Sequence, residues 1–297
     1  MGRVLRATMM AAAVAMVTAA ALPAWAQNQP NDVDLSGFID GDDFFVEDGQ
    51  VWGEANRDEE GFEQFSRDLG QVFAPRPQAP SKTLGQAGFA FDYKLGLATV
   101  PSDEPYWSDG LAGGQPRSVL VSHHLGVRKG LPFSFEVGGD LSHLMNSQMF
   151  GMGANIRWAL HEGYRFFPDV GVRAAANTVT GAKELNLING AWDISLSKSF
   201  GIAGVMSLTP YGGYQQLHTW ASSRVLSANP QDPRPPVTRD ETLSYSPDVV
   251  FDAGRQWENR IFMGAEFQTW NVAMSLEAIF ALSDPVSQVT LSAGMDF

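Results

Sequence analysis

From Gly85 to the C-terminus the apolar residues of this chain recur at every second position, and that period restricts the folds open to it. Phe89, Phe91, Tyr93, Leu95 and Leu97 alternate with Ala90, Asp92, Lys94, Gly96 and Ala98. Val119–Arg128 and Phe133–Gly138 repeat the pattern, as do Phe150–Leu160, Asp169–Val179, Leu187–Lys198, Val205–Leu217, Arg260–Gln268, Val272–Ala281 and Val286–Phe297. Successive side chains of a strand point to opposite faces, so period two makes these ten candidate strands, most of them about 9–12 residues long.

Alternation alone also suits a water-soluble antiparallel sandwich. The charge distribution favours a membrane barrel. One face is nearly free of charge, whereas the other carries Asp92, Lys94, Arg128, Glu136, Arg157, Arg173, Asp193, Glu266 and Glu277 beside Gly, Ser and Asn. A transmembrane barrel turns its apolar face to lipid and its polar face to the lumen. The connections alternate too. Residues 100–116 and 218–258 are long and fall on one side, whereas 129–132, 199–204 and 269–271 are short and fall on the other. Short periplasmic turns and longer extracellular loops have this asymmetry. The expected fold is all-β: a transmembrane antiparallel up-and-down barrel of about ten strands, or eight to twelve if the 218–258 connection hides a hairpin around Leu243–Phe251. Phe133, Phe200, Trp270 and Phe297 near the short turns, with Phe150, Trp220 and Phe280 near the long loops, suit two interfacial girdles.

The rest of the chain fits export. Arg3 and Arg6 precede an apolar Ala7–Leu22 run, Pro23 breaks it, and Ala24-Trp25-Ala26 gives small-x-small. Residues 1–26 are therefore expected to be a cleaved signal peptide, a retained anchor being the alternative. Cleavage removes Arg3 and Arg6 and no acid, taking the formal net charge from -13 to -15. That acidity offers no broad footprint for nucleic acid. The absence of Cys excludes a disulfide scaffold and a thiolate metal site. Residues 27–83 hold 13 Asp or Glu against four Lys or Arg, and are expected to form an acidic periplasmic segment before the 84–297 barrel. Within it Phe62, Phe65, Leu69, Val72 and Phe73 share one helix face over Gly61–Ala74, and Pro75, Pro77 and Pro80 make a stiff linker. So short a helix must dock its apolar face, on the barrel mouth or lumen or on a soluble partner.

The last segment, Thr290–Phe297, resembles the C-terminal assembly signal of bacterial outer-membrane β-barrel proteins. Val289, Leu291, Ala293, Met295 and Phe297 alternate toward a terminal aromatic residue, and Ser292 departs from the family at a position where Gly is common. The resemblance implies a small porin-like barrel in the bacterial outer membrane, with lipid as its surroundings and the barrel-assembly machinery as a partner reading Met295 and Phe297.

Function is less visible. The inward charges suit either a structural ion-pair network or a narrow conduit for ions or small solutes. A structural or surface-presenting barrel using the Pro-rich 218–258 loop is the other non-enzymatic reading. An outer-membrane enzyme, lipid-modifying or proteolytic, is the rival class. For it the residues offer His143 beside Ser142 and Asp140, with His218, at the long-loop rim; adjacent His123 and His124 point apart. No catalytic residue is assigned, and no cofactor is expected unless Ca²⁺ binds Asp32, Asp34, Ser36, Asp40 and Asp43. Those five occupy oxygen-ligand positions of a 12-residue EF-hand-like loop with Gly37 at position 6, whereas Asp at position 12 and the short lead-in argue for a merely acidic segment.

Overall fold

Alternation becomes pairing along ten antiparallel strands in the computed structural model. These are β1 (Phe89–Thr99), β2 (Val119–Leu131), β3 (Phe135–Leu144), β4 (Phe150–His161), β5 (Asp169–Thr180), β6 (Leu185–Ser197), β7 (Met206–Ser223), β8 (Asp252–Thr269), β9 (Val272–Ala281) and β10 (Ser287–Asp296). The structure describes residues 29–40, 45–47, 50–52, 56–78, 80–164, 166–227 and 248–297. The expected signal peptide and Asp43 lie outside them, as does the side chain of Asp40. Each barrel strand pairs with its neighbours in sequence, and β10 closes on β1 from Ser287↔Thr99 to Asp296↔Ala90. The seam runs to the last residue: Phe89 N donates to Phe297 O at 2.9 Å and Phe297 N to Phe89 O at 2.7 Å. No edge is left to the ring.

Its exterior is apolar. Phe91, Met152, Ile156, Trp192, Met263 and Leu276 point outward and are exposed, whereas their inward neighbours are buried. A soluble monomer rarely exposes an apolar patch beyond a few hundred Å², so a belt around the whole ring matches hydrocarbon rather than water. A sandwich is excluded because the barrel is one closed sheet. Among the described residues no helix is long and apolar enough to cross a membrane.

Three local details differ from the sequence pattern. β7 and β8 run 18 residues each, so the expected 218–258 connection shortens to 224–251. Inside it Leu226–Ser227 pairs with Asp248–Val249, and residues 243–247 of the hairpin considered around Leu243–Phe251 lie outside the described residues. Strand ends that outlast the lipid-facing stretch need no apolar outer residues, so their pattern fades before their pairing does. Phe133, placed in a strand by alternation, sits with Ser134 at positive φ (62° and 59°) in the turn before β3.

The N-terminal segment is the larger surprise. Helix α1 (Glu59–Phe73) starts where Asp58 accepts from Gly61 N at 2.8 Å and stops before Pro75. Its Phe62, Phe65, Leu69, Val72 and Phe73 are buried, as the helical spacing requires. They pack at the long-connection end of the barrel with Leu35, Phe38, Leu144, Leu187, Phe251 and Trp107 of the short helix α2 (Pro105–Asp109). Gly70 lets α1 sit against β7, because a Cβ there would lie 2.6 Å from Thr219. α1 therefore docks on a barrel mouth, one of the partners its apolar face admits, and that mouth is not the short-turn one. The apolar face of α1 finds its dry surface in the opposite mouth, and the Pro-rich stretch that follows lies inside the barrel.

Phe65 is fully buried at that core. Phe65→Ala is expected to cost about 3–5 kcal/mol through the cavity it leaves. Hydrogen exchange should speed up over 59–73 while the barrel strands stay protected.

Candidate functional site

Inward-facing charged residues form two networks in the lumen. In the first, Glu136 on β3 accepts from Arg157 at 2.5 Å and lies 3.6 Å from Arg128, which also approaches Asp92 and Asp296 at 3.6 Å each. Lys94 completes it, 3.2 Å from Asp92. In the second, Arg173 meets Asp193 at 2.7 Å, and Gln215 donates to the same Asp193 at 3.2 Å while accepting from Arg260. Glu266 and Glu277 stand apart from both. Glu266 has Arg128 as a nearby cation, and Glu277 is hydrogen-bonded to Tyr211 with Lys94 and Arg76 nearby. Arg260 and Asp296 share the inward parity of Glu266 and Gln288, so parity alone could have found them. Arg76 lies in the linker, where no period marks it.

Residues 74–84 pass lengthwise through these networks. Pro75 O accepts from Gln215 at 3.3 Å, Gln78 O from Arg157 at 3.1 Å, and Pro80 O from Arg157 as well. Arg76 donates to Gln288 and, at 3.4 Å, to Ser122. Ser81 meets Ser195 at 2.9 Å and Ser197 at 3.0 Å. Thr83 N donates to Glu162 at 2.8 Å and Leu84 N to Glu136 at 3.2 Å. The prolines suit this path: they bring carbonyl acceptors to a donor-rich lumen and no N–H that would need a partner. Two spaces along the path, beside Gln78, Asp92 and Lys94, measure about 30 Å³ and about 10 Å³. Those are volumes for single waters.

The histidines do not assemble a catalytic group. Ser142 is buried inward, whereas His143, its neighbour in β3, stacks on Phe150 at 4.6 Å and meets Ser147 O at 3.1 Å. His218 meets Arg255 at 3.2 Å, and His123 meets Tyr93 at 2.5 Å. One Ser–His pair does exist, readable from its i, i+2 spacing: Ser122 Oγ lies 2.9 Å from His124 Nε2. Both are buried, Arg76 donates to Ser122, and the adjacent space beside His124 measures about 10 Å³. At the N-terminal segment, Asp32 accepts from Gln29 N and Gln148 N, and Asp34 from the amide and hydroxyl of Ser36, capping a 3-10 helix at Leu35–Phe38. Among the described residues no three His, Asp or Glu side chains converge as a metal site.

Above the lumen, Asp68 ties α1 to α2. It accepts from Tyr106 Oη at 3.0 Å and Trp107 Nε1 at 3.3 Å, while Arg67 and Gln71 bind Asp284 at 2.7 and 3.0 Å. Burial pushes the Asp68 carboxyl up to about 6; nearby Asp284 adds to the rise, and Tyr106, Trp107 and Arg67 oppose it.

A closed ten-stranded ring with an apolar belt and a charged interior defines a small β-barrel of the outer-membrane type. Solved structures with similar strand arrangement include the attachment invasion locus protein Ail of Yersinia pestis (12% identity, 71% of this chain and 99% of that chain, TM-score 0.27). The KdgM porin (8%, 70% and 99%, 0.32) and the N-terminal β-barrel domain of Pseudomonas aeruginosa OprF (11%, 72% and 99%, 0.26) are others. At these scores no functional argument passes from them to this chain. No protein-family model matches the chain, and no curated protein does.

Two outcomes are expected. Glu136→Ala leaves Arg128 and Arg157 without their shared carboxylate and should cost about 3–5 kcal/mol, visible as a lower temperature for the heat-dependent gel shift, whereas Glu136→Gln should cost less. For Asp68, a folded pKa raised above the ordinary 3.8 means that its stabilising contribution is full below about pH 4 and is lost as pH rises through about 6. Exchange protection of 59–73 should therefore fall between about pH 4.5 and about pH 7. Asp68→Asn should flatten that slope.

Proposed function

We propose that the protein resides in the outer membrane as a non-conducting, non-enzymatic barrel. In this reading its own N-terminal segment fills the lumen, and the long-connection face presents an ordered polypeptide surface. The observation that carries the reading is the run of hydrogen bonds from Pro75 to Leu84, which occupies the bore from one mouth to the other. A solute path would need continuous room, whereas the two spaces beside Gln78, Asp92 and Lys94 are about 30 Å³ and about 10 Å³. The charges then act as the glue of a filled interior rather than as a selectivity ring. Lipid contacts the outer belt. The outward Met295 and Phe297 on the closing strand are the surface offered to assembly machinery.

Planar-bilayer recording on the purified full chain tests this. Fusion without unitary current steps is expected; stable steps of reproducible size would show an open path and remove the reading.

A further inference from the structure

The threaded segment has a direction. β1 begins at Phe89, at the short-turn end, where Phe89 and Phe297 exchange backbone hydrogen bonds. Going back in sequence from there, the chain climbs. Along β6 the climb can be measured, because Ser81 contacts Ser195 and Ser197, whereas Gly70 O accepts from Asn189 at 3.1 Å. Six residues of strand at 3.3 Å each separate Ser195 from Asn189, about 20 Å of travel. Upstream of α1, the described residues hydrogen-bond to the barrel at the connections of the long-loop end: Asp34 N donates to Gly110 O at 3.1 Å, Asn31 N to Asn146 O at 2.9 Å and Leu35 N to Glu184 at 2.7 Å. The two ends of this segment thus lie at opposite ends of the barrel.

We propose that the described residues of 30–40 and 56–73 are carried through the barrel to the cell surface, so that this part of the folded chain faces outward. The barrel strands start and finish at the inner, short-turn face. The inference rests on the outer-membrane reading given above and adds the side and the route. The route follows from size. An α-helix with its side chains is about 10–12 Å across; strands ring only the last turn of α1, where Gly70 O meets Asn189, Gln71 O meets Gln288 and Phe73 O meets Asn177, and the bore below it is occupied by non-helical chain. In this proposal α1 folds on the outer side once residues below it are in place, or the ring closes around the segment. Either way, burying Phe62, Phe65 and Leu69 among the long connections blocks retreat, because withdrawal would return them to water.

The chain has no Cys, so one introduced thiol reports one site. Glu60→Cys lies on the exposed side of α1, Gln86→Cys at the short-turn end of the same segment, and Asp103→Cys in the first long connection; all three positions are exposed. Each full-length variant is expressed in cells, its folding confirmed by heat-dependent gel migration, and treated with a membrane-impermeant maleimide before and after outer-membrane permeabilisation. Glu60→Cys and Asp103→Cys are expected to label fully on intact cells, and Gln86→Cys only after permeabilisation. Labelling of Asp103→Cys but not Glu60→Cys on intact cells would overturn the proposal, placing the segment inside. Labelling of Gln86→Cys alone would overturn it too, by reversing the barrel. Bilayer current steps bear on the plug and not on this sidedness, so a conducting barrel with Glu60→Cys labelled outside would remove the first reading and leave this one.

Discussion

Hydrocarbon offers no partner to a peptide group, and this one constraint organises the molecule. An unpaired N–H or C=O in lipid costs several kcal/mol, so a sheet that crosses it must close on itself. The β10–β1 seam does so from Ser287 to the terminal Phe297. Closure in turn dictates the alternation: each strand has one face to lipid and one to the lumen, and a one-residue slip would exchange every Phe91 for an Asp92.

Closing with ten strands creates the next problem. About eight strands give an interior that side chains alone can fill. Two more leave a bore, and here a stretch of the chain's own backbone runs along it. That backbone brings its own polar groups, and the lumen charges answer them. Arg157 spends its guanidinium on Gln78 O, Pro80 O and Glu136, and Glu136 takes Leu84 N in addition to its arginines. Stretches rich in proline are usually read as exposed linkers. In this lumen proline is suited to burial, because it removes donors that nothing would satisfy.

The parts of the structure legible in the sequence are those with a local period. Strand identity, strand parity and the apolar face of α1 each repeat within a dozen residues, and parity also marks Arg260 and Asp296. The path of residues 74–84 has no such signature. Its partners lie far away in sequence, from Ser122 to Gln288, and depend on the ring having closed. The docking side of α1 was hidden for the same reason: its amphipathic face demands a dry surface without saying which mouth supplies one.

The two networks and the threaded segment are also mutually dependent. Without residues 74–84, Arg157 would lose both carbonyl acceptors and Gln215 its contact with Pro75, and water entering the bore would have to replace them. Without Glu136, the segment would lose the acceptor that fixes Leu84 at the short-turn mouth. A plug built as a gate would be expected to leave a wall already satisfied in its absence. This wall takes its partners from the segment at Gln215, Arg157 and Glu136, so the segment is better understood as an eleventh, central element of the barrel than as a stopper placed in a finished pore.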